Sequence, residues 1–369
     1  MNNNIDKDNL NSIRKPKIFN QSQVFVEGWY WVLPSQSLKV GEVKSINIFG
    51  RDLIVYRGQD KRAVILDAYC PHSGTNLAEG KVEGNEIRCV LHRWKFDAEG
   101  ICVDVPALDE PVPVKAKTWP VAEQYGIIWI WTGETPQQPL PFILDWENQE
   151  FDYVLGSQFN INCHAHILLL KSIDMQQINI VNKLPFKIAW EKQELNQNAI
   201  VFNTMININS KSFWLKVYRY LFKSSLSYNV CYWYGTTSII SLGNEFLHLH
   251  LMFISRITLG GRTEGQTLLM AKKRRSILGK LINILMLGVG KVISDRLITA
   301  HERILSTMQF DLKTPIKADL SIMQFINHLE RQKPLNWETW SVWRSQERKE
   351  QVREEREKRE KWRNELVND

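Results

Sequence analysis

Short apolar runs separated by turn-forming residues dominate the first third of the chain. Runs rich in Val, Ile, Tyr and Trp, bounded by Gly, Asp or Asn, occupy residues 28–33, 43–50, 51–58 and 61–69. Runs of this length and composition are typical of antiparallel strands. Further runs of the same kind lie within 112–133. The pattern therefore predicts a flexible arm at 1–24 and a small barrel-like β-domain at 25–135.

A second domain with a different pattern is predicted at 150–330, after a proline-rich connector at 136–149. Its first apolar run, residues 159–170, predicts a strand. A helix follows from 171, and Pro185 limits its length. A long helix reaching about Gln309 is predicted near the end of this domain. Between the helices, long strands are predicted at 199–210, 226–240 and 245–260.

The stretch from Ser276 to Val292 is apolar but contains Lys280 and Lys291. At this length and polarity it is a poor bilayer span, so a buried helix or a pocket lid is expected. The preceding basic run at 272–275 leaves contact with a membrane surface as the alternative. The charged tail at 331–369 places Glu four residues before Lys or Arg several times, which predicts an exposed helix.

Composition limits the class of protein. With 369 residues, 44% hydrophobic and 24% charged, the chain is long enough for two domains with their own cores. Of its five cysteines, two belong to the Cys/His pairs described below, and Cys102, Cys163 and Cys231 are scattered, which favours a reducing compartment and a cytoplasmic location. The first 17 residues have no apolar core and predict neither a signal peptide nor an anchor. The net charge of +7 comes mostly from Lys and Arg interleaved with acids, so nucleic-acid binding is not predicted.

Two short Cys/His pairs carry the clearest chemistry, Cys70-Pro-His72 and Cys89-Val-Leu-His92. Two thiolates and two imidazoles, brought together by adjacent loops, are the ligand set of a Rieske 2Fe-2S cluster. Two Cys and two His could also hold a structural zinc ion. Zinc motifs usually keep ligands of one kind together, whereas each pair here mixes Cys with His.

The residues around these pairs resemble the Rieske fingerprint, with Gly74 and Leu77 after the first pair and Trp94, Phe96 and Gly100 after the second. Neither loop carries the extra Cys of the bc-type Rieske proteins. The order of strands and helices that follows is similar to the helix-grip (START-like) domain of Rieske non-haem iron oxygenases. The resemblance, nearest in texture to pheophorbide, chlorophyllide and steroid-type members, implies an α+β fold.

The same family implies a mononuclear iron held by two His and a carboxylate in the second domain. Asp174 matches the Asp of the family's helical motif. In that register Lys171 replaces an Asn, and Gln177 and Asn182 replace the two iron-binding His. Amides bind Fe(II) more weakly than imidazoles, so mononuclear iron is doubtful. The later helix offers His301 or Glu302 at the position of the family's second Asp.

Other interpretations of these residues remain open. Metal could be held by His164 with His166, or by His248 with His250, if the two His of a pair lie on one side of a strand. The alternative is that both pairs are ordinary polar residues of a strand or pocket. The motif alignment itself could also be wrong. In the family, the Asp at position 174 bridges to the second cluster His of a neighbouring subunit, here His92. The alternative for Asp174 is a helix-capping or solvent-facing residue.

The resemblance implies a Rieske-type mono- or dioxygenase, if the iron is held, that oxidises a lipophilic or cyclic substrate with O2. Electrons would come from a ferredoxin or reductase, since no glycine-rich dinucleotide motif follows a strand. A homotrimer is expected. The alternative is a non-catalytic Rieske protein that carries electrons, regulates a partner or binds a ligand.

Overall fold

The computed structural model of the protein describes residues 18–144, 150–181, 189–206, 226–243, 248–258 and 260–335. Asn182, most of the predicted arm, most of the charged tail and the ends of several predicted strands lie outside these ranges. The predicted α+β class is confirmed, with antiparallel sheets in both halves and three α-helices in the described part of the second half.

The first domain is built from three small antiparallel sheets. Their strand orders are β10-β5-β4-β3, β11-β12-β2 and β6-β7-β8-β9. The strands at Trp29–Pro34, Arg51–Arg57 and Ile127–Trp131 are buried along most of their length, so they lie in the interior of the domain. The strands are β2 (Trp29–Pro34), β3 (Val43–Ile48), β4 (Arg51–Arg57), β5 (Ala63–Asp67), β6 (Lys81–Glu83), β7 (Glu86–Arg88), β8 (Lys95–Phe96), β9 (Cys102–Asp104), β10 (Thr118–Trp119), β11 (Val121–Gln124) and β12 (Ile127–Trp131).

The second domain is built on one seven-stranded antiparallel sheet, ordered β13-β19-β18-β17-β16-β15-β14. Its strands are β13 (Phe151–Ile161), β14 (Glu191–Asn196), β15 (Ala199–Ile206), β16 (Leu226–Trp233), β17 (Thr237–Gly243), β18 (His248–Ile257) and β19 (Thr263–Lys272). The helices are α1 (Ala165–Leu170), a π-helix (Gln177–Val181), α2 (Ile277–Leu305) and α3 (Leu320–Leu329).

Helices α1 and α2 lie on the same face of this sheet. Residues paired across neighbouring strands share a face, and the pairs Tyr228 with Leu242, Leu242 with Leu249, and Leu251 with Leu269 define it. The Tyr228 hydroxyl donates to Ser172 O at 3.2 Å, just after α1. At Gly290 of α2, an added Cβ would lie 2.6 Å from Leu269, so the helix backbone rests on β19. The two helices therefore flank the middle of this face.

Two predicted strands are wrong. The run 159–170 holds the end of β13 and then α1. Aliphatic residues fit either state, and the chain bends at Asn162 and Cys163 into a helix capped by His164. The run 226–240 holds β16 and β17 with a turn between them, where Tyr234 and Gly235 have positive φ. The two His of the first run are therefore not strand neighbours.

The N-terminal segment is bound to the rest of the protein from residue 18 onward, which corrects the predicted flexible arm for residues 18–24. Ile18 and Phe19 are buried, and Ile18 N donates to both carboxylate oxygens of Glu330 at 3.0 Å. Strand β1 (Phe25–Val26) pairs with β20 (Pro334–Leu335). The beginning of the described chain is thus fastened to its end.

The apolar stretch from Ser276 to Val292 forms the N-cap and first part of helix α2, as predicted. The expectation that this helix is buried is wrong for one of its sides. Large aliphatic residues, among them Ile277 and Leu285, are exposed along it.

Candidate metal centre

The two loops that carry the Cys/His pairs are built alike. In the first, Cys70 N donates to Thr75 O at 2.8 Å; in the second, Cys89 N donates to Trp94 O at 2.8 Å. Each bond spans five residues, and each loop turns through a positive φ four residues after its Cys, at Gly74 and Arg93. Gly adopts this conformation freely, whereas Arg does so at a cost. The loops therefore place the two Cys at equivalent positions.

Cys70 and Cys89 form the inner half of the site. Their residues are 2% and 1% exposed, and their thiols are close enough to hydrogen-bond to each other. Burial, together with a smaller effect of the neighbouring Cys89, raises the pKa of Cys70 to about 11. Both thiols must lose their protons to bind metal, so binding at this pair releases protons.

His72 and His92 form the outer half, at the exposed tips of the loops. Their ring centroids are 4.6 Å apart. His72 also stacks on Trp94, with centroids 4.2 Å apart and an angle of 4° between the rings. A residue of the second loop therefore orients a ligand of the first, which spacing alone did not reveal.

Partly exposed ion pairs support the second loop from behind. Arg88 donates to Glu83 Oε2 and to Asp104 Oδ2, both at 2.7 Å, and to Arg93 O at 2.6 Å. At Gly80, beneath the first loop, an added Cβ would lie 2.3 Å from Arg88 O. Arg88 thus joins the bases of both loops.

The four residues fit a 2Fe-2S cluster by the chemistry of the donor set. The site has a sulfur pair on the inside and a nitrogen pair on the outside, as a cluster with two Cys on one iron and two His on the other requires. Within the ranges that the structure describes, no three His, Cys, Asp or Glu side chains are grouped as one metal ion would require. A single tetrahedral zinc ion held by all four residues does not match this separation into two pairs.

The predicted mononuclear site is less well formed. Asp174 caps the turn that precedes the π-helix, accepting from Gln177 N at 3.0 Å. Gln177 is the first residue of the π-helix and is half-buried, while Lys171 ends α1. Asn182 lies outside the described residues.

The later carboxylate does not join these residues within the chain. Glu302 lies in α2 with an exposed side chain. His301 is on the same helix, but its side chain lies outside the part of the chain that the structure describes. The structure therefore brings the cluster ligands together, but it groups no second set of ligands in the ranges described.

His164 and His166 act as structural residues in this chain. The His164 Nδ1 accepts from His166 N at 3.2 Å, capping α1, and its Nε2 donates to Gln21 O at 3.2 Å. The His166 Nδ1 accepts from Asn20 N at 3.1 Å. Burial lowers the pKa of His164 to about 4, so both rings fasten the N-terminal segment in their neutral form.

His248 and His250 do lie on one side of a strand, β18, with ring centroids 4.4 Å apart. His250 is fully buried, and its Nδ1 lies 2.7 Å from Ser241 Oγ. Burial lowers the pKa of His250 to about 3. This residue is thus a buried neutral histidine that hydrogen-bonds to Ser241.

A half-buried apolar strip lies between α1 and α2, and the sequence analysis missed it. Ile240 and Leu242 of β17 and Leu251 of β18 form it, with Tyr228 on the side of α1. Leu242 is 44% exposed although it belongs to the covered face of the sheet. The alternation of side chains along β16 to β18 predicts which residues share one face of the sheet. Only the positions of α1 and α2 show which part of that face stays uncovered.

Comparison with known proteins agrees with this geometry. Residues 28–121 match the family described as "Rieske [2Fe-2S] domain". The chain is 40% identical over 161 residues to cholesterol 7-desaturase nvd of Bombyx mori, covering 43% of this chain and 36% of that protein. It is 34% identical over 195 residues to aminopyrrolnitrin oxygenase PrnD of Pseudomonas fluorescens, covering 50% and 53%. The chain thus spans about half or less of the curated relatives it matches.

The fold of most of the chain resembles that of solved structures. NdmB of Pseudomonas putida CBB5 superposes with a TM-score of 0.64 at 13% identity, covering 82% of this chain and 90% of that one. At this identity the likeness concerns the fold alone. The match to residues 28–121 confirms the predicted Rieske domain: this chain contains a Rieske [2Fe-2S] domain, and it shares the fold of NdmB.

Proposed function

We propose that the protein is the terminal component of a Rieske oxygenase system that receives electrons at a 2Fe-2S cluster for O2-dependent oxidation of a lipophilic, cyclic substrate. The observation that carries the proposal is the pairing of buried Cys70 and Cys89 beneath exposed His72 and His92. A bound cluster would supply one-electron transfer at the protein surface.

The surface around the His tips fits an electron donor. Val90 and Leu91 are about half-exposed beside His92, and Arg93 is exposed next to them. This small apolar patch suits transient docking of a ferredoxin or reductase, because an apolar contact holds the encounter; Arg93 pairs with Glu83 at 3.4 Å and adds little net charge.

The strip of Ile240, Leu242 and Leu251 supports an apolar substrate. Binding sites for small molecules are mostly apolar with a few polar groups, and this strip lies between two helices with the Tyr228 hydroxyl at its edge. The Bombyx mori relative is named for cholesterol, a lipophilic ring compound.

A second candidate function is electron transfer without oxygen activation. It is favoured by the amide of Gln177 at an expected His position and by the exposed carboxylate of Glu302. In that case Tyr228 and the apolar strip would bind a ligand that is not oxidised.

Iron analysis of anaerobically purified protein tests both candidates. About three iron atoms per chain indicate a cluster with a mononuclear site, and about two indicate the cluster alone. A rhombic EPR signal after reduction is expected in either case. Zinc without iron would refute both.

A matched pair of variants links the signal to the proposed ligands. Cys70→Ser should abolish the EPR signal, whereas Cys102→Ser should keep it, because Cys102 is also buried in the first domain but lies outside the two loops. Equal loss in both variants would show that the signal reports folding and not ligation.

A further inference from the structure

Helix α2 presents its more apolar side to solvent. The positions that face the sheet are spaced three or four apart and are largely small or polar: Gly279, Asn283, Leu287, Gly290, Ser294 and Ile298. The outer apolar face consists of exposed aliphatic residues: Ile277, Leu281, Ile284, Leu285, Val292 and Ile293. Ile277 is 82% and Leu285 69% exposed. An amphipathic helix of a water-exposed domain normally has the opposite arrangement.

Polar contacts fix this orientation along the helix. Asn283 Nδ2 donates to Asp152 Oδ2 and to Lys272 O, both at 2.8 Å. Farther along, Ser157 N donates to Asp295 Oδ1 at 3.1 Å. Rotating the helix to bury its aliphatic side would break these bonds and leave buried polar groups without partners, which is costly. The outer apolar face is therefore a stable feature of the fold.

Positive charge borders the outer apolar face. Lys272 and Arg275 are exposed just before the helix, and Lys280 and Arg296 are exposed along it. Lys273 is also exposed but pairs with Glu150 at 3.4 Å. From Ser276 to Ser294 the sequence contains no acidic residue. Asp295, the first one, faces inward to Ser157. An aliphatic face with a basic border is the pattern by which helices bind anionic lipid surfaces.

The composition of this face favours lipid over a protein partner. It contains Ile, Leu and Val but no Phe, Tyr or Trp anywhere in the helix. Protein interfaces are enriched in aromatic residues and Arg and depleted in Lys. At 29 residues, the helix is roughly 43 Å long at 1.5 Å per residue, which gives a continuous apolar ridge.

The helix is long and apolar enough to cross a membrane, yet its contacts place it along a surface. The sheet-facing positions from Gly279 to Ile298 pack against β13, β18 and β19. Spanning a bilayer would require the helix to leave this sheet or to take the sheet's polar strand ends into lipid. Binding parallel to the membrane plane leaves both the sheet contacts and the basic residues in place.

We propose that the outer apolar face of α2 docks the protein in-plane on a membrane surface that contains anionic lipids. The inference goes beyond the oxygenase proposal and does not depend on it, because binding to vesicles is measured without turnover.

The test is co-sedimentation of the full chain, carrying its cluster, with vesicles of phosphatidylcholine alone or mixed with phosphatidylglycerol. Wild type should bind the mixed vesicles more strongly than the neutral ones, and added salt should weaken the preference. Leu281→Gln with Leu285→Gln should reduce binding to mixed vesicles roughly tenfold or more, since two buried aliphatic side chains are lost. Lys272→Gln with Arg275→Gln should remove the preference for anionic lipid.

The matched control is Val40→Gln with Ile316→Gln, which removes two aliphatic side chains of similar exposure outside α2. This control should bind vesicles like wild type. Melting temperatures should be unchanged in all variants, because every replaced side chain is exposed. If the variant with Leu281→Gln and Leu285→Gln unfolds, the variant with Lys272→Gln and Arg275→Gln still tests the proposal.

Failure of wild type to bind either vesicle would overturn the proposal. Binding that the α2 and charge variants leave unchanged would also overturn it. A lipid-free oligomer that Leu281→Gln with Leu285→Gln dissociates, without any vesicle binding, would assign the face to a second copy of the chain instead.

Discussion

Asp174 Oδ1 accepts a hydrogen bond of 3.0 Å from the backbone amide of Gln177. This bond is a helix cap within one chain, which was the alternative interpretation of Asp174. The predicted bridge from Asp174 to His92 of another subunit stays a prediction. A carboxylate has a second oxygen, so one residue can cap the helix and still accept from a neighbouring imidazole.

Two substitutions separate these roles of Asp174. Asp174→Ala should lower the free energy of unfolding by about 1 kcal/mol through loss of the cap, whereas Asp174→Asn should retain most of it. If the bridge exists, both changes remove a charge that favours protonated His92, so the pKa seen in the pH dependence of the cluster potential should fall. Chemical denaturation and redox titration measure the two effects. A potential profile unchanged in both variants would contradict the bridge.

The degenerate iron site makes a prediction about metal content. Wild type should hold little iron beyond the cluster, and Gln177→His with Asn182→His should raise it by adding imidazoles. Lys171→Asn should raise it further, because an ammonium near a dication is repelled by about a few kcal/mol in a partly buried site. Metal analysis and O2 consumption give the answer.

Glu302 provides the control for this series. Because its side chain is exposed in the chain, Glu302→Ala should leave the iron content of wild type and of the triple variant unchanged. A third iron in wild type that disappears in Glu302→Ala would show that this helix supplies a ligand and that the site is intact.

Buried histidines predict acid sensitivity. Burial lowers the pKa of His164 and of His328 to about 4, below the unfolded value of 6.5. Between these values the unfolded chain binds more protons, so the free energy of unfolding should fall as pH drops from 6.5 towards 4. Each histidine contributes at most about 1.4 kcal/mol per pH unit.

The variant His164→Asn tests this contribution, since Asn can still cap α1 but does not titrate. Denaturant unfolding across that pH range should show a shallower slope for the variant than for wild type. His328→Gln should reduce the slope in the same way. Identical slopes for wild type and both variants would contradict the assignment.

Arg256 connects the two domains and should not tolerate Lys. Its guanidinium lies 4.7 Å from the Trp31 ring centroid, donates to Trp31 O at 3.1 Å and pairs with Glu264 at 3.1 Å. Lys cannot make this set of contacts, so Arg256→Lys should cost about 1–2 kcal/mol of unfolding free energy. Arg262→Lys, an exposed change nearby, should stay within about 0.5 kcal/mol of wild type in the same denaturation assay.

The cluster loops could be predicted from sequence because their information is local. Each Cys lies within a few residues of its His. In the first loop Gly74, whose backbone is in the left-handed conformation, is equally near. The stacking of Trp94 on His72 could not be predicted, since it joins two loops whose distance depends on the strands between them.

The errors have equally physical causes. Residues 165–170 are aliphatic enough for strand or helix, and His164 is an unusual cap that gave no start signal. The periodicity of α2 identifies a helix but not the side that contacts the sheet, because both sides offer apolar residues. The distance between Asp174 and His92 of another chain depends on how the subunits assemble. Short sequence motifs around either residue carry no information about that assembly.

The bond between Ile18 and Glu330 joins residues 312 positions apart. Contacts of such long sequence separation form late, since a long loop must close before they contribute. During synthesis, Asn20 and Gln21 can contact His166 and His164 early, but Ile18 and strand β1 lack their partners until Glu330 and β20 have left the ribosome. The N-terminal strand of the first domain can therefore pair only after nearly the whole second domain has been synthesised.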